Sequence, residues 1–140
     1  METHHVLRFD ELPWLDRGPG VRSKPVVKRG HGSEHLTTGV SEFAPGAAVA
    51  LHWHNCDESV VVLEGEATAE VEGRTYALVA QDTTFVRAGV PHRFLNRSDR
   101  PLRFMWIYAA GQVTRTFADT GQTFDHGSAG DRAVVTPGPG

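Results

Sequence analysis

Glycine and proline interrupt this chain at short intervals, and no stretch keeps a helical period for long. The 15 glycines and 8 prolines are spread along the sequence and separate short runs rich in β-branched and aromatic residues, the pattern of an all-β sandwich or barrel. The clearest run lies between turn signals at Leu63-Glu64-Gly65 and Glu72-Gly73, where Ala67, Ala69 and Val71 alternate with Glu66, Thr68 and Glu70. Alternation of period two gives a strand one covered face and one wet face. Further strands are predicted at Val21 to Lys28, His35 to Phe43, Ala48 to His54, Glu58 to Leu63, Arg74 to Val79, Thr83 to Val86, His92 to Asn96 and Leu102 to Tyr108, about nine in all. A double-sheet jelly roll protects the edges of such a meander, so the expected architecture is a small all-β jelly-roll barrel.

The 140 residues suit one domain with a well-buried core. A formal charge of −3 with acids and bases interspersed carries no footprint of a nucleic-acid partner, and no apolar run approaches the length of a membrane span. Cys56 is the only cysteine, which rules out an internal disulfide, and the start METHHVLRFDELPW lacks the basic and apolar regions of a signal peptide. A cytoplasmic protein is expected. Residues 1–20 read as an irregular N-terminal arm, 21–112 as the barrel, 113–126 as a C-terminal extension and 127–140 as a flexible tail with little to bury.

One cluster of ionisable groups stands out, HWHNCDE, from His52 to Glu58. In a strand His52 and His54 project from one face with Cα atoms about 7 Å apart, close enough for both imidazoles to reach one ion. Trp53 then faces outward together with Val49 and Leu51. Glu58 opens the next strand after a short turn and can offer a carboxylate oxygen to the same point. A fourth ligand must come from elsewhere, and His92, directly after the Gly89 to Pro91 turn, is the candidate. Three imidazoles and a carboxylate suit iron, manganese, nickel or zinc rather than magnesium or calcium.

These residues carry a family resemblance. Gly46 to Gly65, GAAVALHWHNCDESVVVLEG, fits the first cupin motif, GxxxxxHxHxxxExxxxxxG, at every defined position. Gln81 to Asn96, QDTTFVRAGVPHRFLN, is similar to the second, GxxxxxPxGxxHxxxN, at Gly89, His92 and Asn96, with Gln81 in place of glycine and Arg87 in place of proline. The spacer between the motifs, Glu66 to Ala80, has the shortness seen in small single-domain bacterial cupins. The resemblance implies a double-stranded β-helix, one divalent metal per chain held by His52, His54, Glu58 and His92, and a homodimer.

Around that set the sequence leaves choices open. Cys56 is either a reactive thiol beside the ion or a turn residue facing away. Arg87 either reaches into the barrel mouth to hold a substrate carboxylate or lies solvated at a strand end. His4, His5, His31, His35 and His126 are expected in solvent, as are Arg97, Arg100 and Arg103. By strand parity Val60 and Val62 share a face with Glu58, and Phe94 and Asn96 with His92, so mainly apolar surroundings are expected. No paired carboxylates for acid–base work and no Ser-His-Asp arrangement are visible, so catalysis would run through the metal, with Glu58 the one possible catalytic side chain. The expected function is a metal-dependent enzyme on a small organic molecule. A dioxygenase-type oxidoreductase is favoured, because a six-coordinate ion with four protein ligands leaves about two open positions. The alternatives are a non-redox isomerase, lyase or cyclase, and a small-ligand-binding protein with a structural metal.

Overall fold

The computed structural model describes residues 3–131. Its strands are β1 (Leu15–Asp16), β2 (Val21–Pro25), β3 (Thr37–Phe43), β4 (His52–His54), β5 (Glu58–Glu64) and β6 (Ala67–Val71). They continue with β7 (Arg74–Leu78), β8 (Thr83–Val86), β9 (His92–Leu95), β10 (Leu102–Tyr108), β11 (Thr114–Phe117) and β12 (Thr123–Asp125). Two antiparallel sheets form, in the orders β1-β2-β3-β10-β5-β8 and β12-β11-β4-β9-β6-β7, the arrangement of a jelly roll. No helix among the described residues is long and apolar enough to cross a membrane.

Every predicted run becomes a strand, several of them shorter than expected, and β1, β11 and β12 are additions. The additions are two to four residues long, too short to show a period. Residues 113–126, expected as an appendage, supply β11 and β12, and β11 pairs with β4; the extension is part of the second sheet. Strand β4 begins only at His52, so its parity does not reach back to Val49. That residue is buried inside the barrel, whereas Leu51 is 39% exposed.

The core lies between the sheets. Strand β10 is apolar on both faces in sequence, and the structure turns Leu102, Phe104, Trp106 and Tyr108 inward. Trp106 packs against β3 at Gly39, where a Cβ would meet its ring at 2.1 Å; glycine is required there for the close approach. Its indole N–H donates to Ser41 Oγ at 2.9 Å. At the start of the second motif Gln81 keeps the left-handed conformation, φ 79°, that the glycine of the motif would adopt freely.

Both ends of the chain are more ordered than the sequence suggests. The arm carries a short 3-10 turn at Phe9–Glu11 and the strand β1, and it docks through cations: Lys24 Nζ donates to Phe9 O and lies 3.9 Å from the Phe9 ring centroid, and the Arg22 guanidinium sits 4.0 Å over Trp14. The expected tail does not begin at Gly127. Asp131 is fully buried, held by Arg17 and Arg115. The rest of that expected tail, 132–140, lies outside the described residues.

Candidate metal centre

Strands of the second sheet bring the histidines together. His52 and His54 leave one face of β4, and His92 on β9 is paired in register with His52. All three are buried, at 3%, 2% and 1% exposed, with one ligand nitrogen from each lying within 4.8 Å of the others. Glu58 comes from β5 in the opposite sheet and crosses the core, its Oε2 3.3 Å from His54 Nε2 and its Oε1 3.1 Å from His92 Nε2.

Backbone carbonyls fix the imidazole tautomers. His52 Nδ1 faces Ala50 O at 2.7 Å, His54 Nδ1 faces Thr114 O at 3.0 Å and His92 Nδ1 faces Val90 O at 2.9 Å. A carbonyl only accepts, so each Nδ1 carries the proton and each neutral ring has its lone pair on Nε2. At His54 and His92 that lone pair points at Glu58 oxygens that also only accept. His54 Nε2, His92 Nε2 and Glu58 Oε1 are buried without a hydrogen-bond partner. Acceptors facing acceptors at about 3 Å repel unless a proton or a metal cation lies between them. The three histidines therefore fit a divalent transition metal, and the carbonyls behind them are the outer partners such ligands use.

The electrostatics agree. Burial, with Arg115 and the neighbouring imidazoles adding to it, holds His52 well below its ordinary value, and burial outweighs the pull of Glu58 to hold His54 down as well. Both are neutral, as ligation requires. Burial opposes charge on Glu58 and on His92, but their mutual attraction wins: Glu58 is held well below the carboxylate range and His92 is raised. A proton on His92 Nε2 would satisfy its contact with Glu58 where a cation does not.

Beside the imidazoles lies a cavity of ≈ 40 Å³ walled by His52, Glu58, Val49, Phe94, Phe104, Trp106 and Tyr108, and also by Arg17, Arg115 and His126. The apolar surroundings expected from parity hold only for one side; Val60 and Val62 pack in the core. His126, expected in solvent, has its ring centroid 5.0 Å from those of Trp106 and Tyr108 and 6.3 Å from that of His54. Arg87 is exposed and does not line the cavity. Cys56 sits in the bend between β4 and β5 and does not line the cavity; it belongs to the core, and burial together with Glu58 pushes its thiol up to about 11. Arg17, Arg115 and Asp131 went unnoticed in the sequence, since no spacing links them.

Comparison with known proteins matches residues 39–108 to a family model described as a cupin domain. The chain is 30% identical over 131 residues to quercetin 2,3-dioxygenase of Bacillus subtilis, covering 87% of this chain and 39% of that one. It is also 30% identical over 98 residues to the HTH-type transcriptional regulator PuuR of Escherichia coli, covering 69% and 52%. The chain thus spans about half or less of these relatives. Among solved structures, a cupin-superfamily protein from Silicibacter pomeroyi, described as a sugar phosphate isomerase, superposes with a TM-score of 0.72 at 22% identity, covering 94% of this chain and 92% of that one. An RmlC-like cupin from Shewanella frigidimarina gives 0.68 at 21%, covering 77% and 92%. At these identities the structures speak for the fold.

Proposed function

The chain belongs to the cupin family, and on that premise we propose that it is a metal-dependent enzyme acting on a small organic molecule, with dioxygenase-type oxidation the favoured chemistry. The observation that carries the reading is the inward turn of the Nε2 lone pairs of His54 and His92 onto the carboxylate of Glu58, with no donor between them. His52, His54 and His92 would hold the ion, and Glu58 would complete the set as its one anionic ligand. Iron, manganese, nickel or zinc suits three imidazoles and a carboxylate. When bound, such an ion supplies open coordination positions and Lewis acidity. The chain's own contribution is a fixed tautomer at each histidine, an ionised Glu58, and a wall of Phe94, Phe104 and Trp106 that keeps bulk water from the substrate.

The likeness to a quercetin dioxygenase supports redox chemistry but not a flavonol substrate. A cavity of ≈ 40 Å³ is far below the roughly 300–1,000 Å³ of sites for drug-sized ligands. Loaded with iron(II), the protein is expected to bind nitric oxide and give the paramagnetic resonance signal of a high-spin iron–nitrosyl. Iron(II) protein that stays silent to nitric oxide rejects the dioxygenase reading in favour of Lewis-acid or binding use. As proposed, the protein works as a cytoplasmic homodimer, in which a second copy covers part of the exposed Phe85, Val79 and Leu51. Light scattering should then give twice the 15.3 kDa chain mass; a monomer at micromolar concentration would count against it.

A further inference from the structure

Buried charge at the arginine end of the cavity does not balance. Arg17 and Arg115 are 6% and 7% exposed, and one carboxylate serves both. Asp131 accepts from Arg17 Nη2 at 2.8 Å, from Arg115 Nη1 at 3.1 Å and from the Gly127 N–H at 2.9 Å, and its backbone carbonyl accepts from Arg17 as well. The only acid among the residues that line the cavity is Glu58, which is turned to His54 and His92. Among the described residues one guanidinium charge is left without a counter-charge, and a buried charge in that condition is costly. Arg115 Nε is also buried with no partner. In register Arg115 lies opposite His54 across β4 and β11, so both side chains leave the same face of the sheet, and Arg115 walls the cavity together with His52 and Glu58.

We propose that Arg115, steadied by Asp131 and backed by Arg17, is a specificity-determining residue that receives the carboxylate of a small organic acid whose other end faces the three histidines. The missing counter-charge is the substrate's own. A planar guanidinium with a free Nε–H is suited to a carboxylate, and the cavity's size limits the acid to a few carbons. The inference deepens the reading above and takes from it only that the reacting end of the ligand lies at the imidazoles.

Fluoroacetate and fluoroacetamide, nearly identical in shape, separate charge recognition from fit, and fluorine NMR line broadening reads their binding to the full chain. The zinc-loaded protein should bind the acid about 10- to 100-fold more tightly than the amide, the range for a charge-assisted contact. Arg115→Gln should abolish that preference at unchanged zinc content, and Arg115→Lys should keep part of it. Equal binding of acid and amide by the unaltered protein overturns the proposal, and that comparison stands even if Arg115→Gln fails to fold. An acid preference that survives Arg115→Gln also overturns it, since the ion would then be selecting the acid. The metal-free chain tells the two readings apart: an Arg115-dependent preference there, in a protein that takes up no metal, keeps this inference and removes the metal.

Discussion

At one end of the cavity Arg17 and Arg115 share the carboxylate of Asp131, and Arg115 Nε is left as a buried donor without a partner. At the other, three imidazoles and Glu58 are just as buried, yet their free atoms are all acceptors. The first cluster is closed in part by the chain itself, with Asp131 tying Arg17 to Arg115 on β11. The second is incomplete until a cation arrives. Burial alone therefore does not mark a site; the donor and acceptor balance of what is buried does.

Removing a partner from each end should separate the two roles. Asp131→Asn leaves two guanidiniums without a carboxylate and should cost about 3–5 kcal/mol of folding stability, as breaking a buried pair does. Denaturant unfolding reads this directly, and a loss under about 1 kcal/mol would mean the arginines are compensated otherwise. Deleting residues 127–140 should lower stability comparably, against the sequence expectation of almost no change. His52→Ala at the opposite end should lower metal affinity by more than about 100-fold, beyond the loss typical for an outer partner, and leave the metal-free fold nearly as stable. Full metal content in that variant would remove His52 from the ligand set.

The pH response sharpens the contrast further. The raised His92 contributes stability to the metal-free chain that is complete below its ordinary 6.5 and is lost as pH rises through the raised value. The lowered Glu58 contributes above its ordinary 4.5, and that contribution is lost as pH falls through the depressed value. Between those limits the pair is charged, and a metal must displace the His92 proton. Zinc added near pH 6.5 should release about one proton per ion, and progressively fewer at higher pH. Zinc uptake without proton release would exclude a protonated His92.

The two ends were also unequally legible. His52, His54 and Glu58 lie within seven residues, where strand parity and one turn fix their relation, and the Gly89 to Pro91 turn marks His92. Arg17 and Asp131 are 114 positions apart, and nothing local distinguishes them from surface charges. For Arg87 the sequence left open a place at the barrel mouth or in solvent at a strand end, and the structure has it in solvent just past β8. Of the fold, runs long enough to show a period were found, whereas β1, β11 and β12 exist because neighbours pair with them. Parity misplaced Val49 because the backbone before His52 is not a strand.

The span of that ion pair also orders events in time. Asp131 follows all the residues that wall the cavity in the chain, so a polypeptide still being synthesised can pair its strands while Arg17 and Arg115 lack their carboxylate. Closing so long a loop is slow compared with forming hairpins. Refolding watched by circular dichroism should therefore run ahead of the burial of Trp106 seen by fluorescence, with Asp131→Asn slowing chiefly the second phase. In that order of events the arginine end of the cavity would take its final form only once Asp131 has docked.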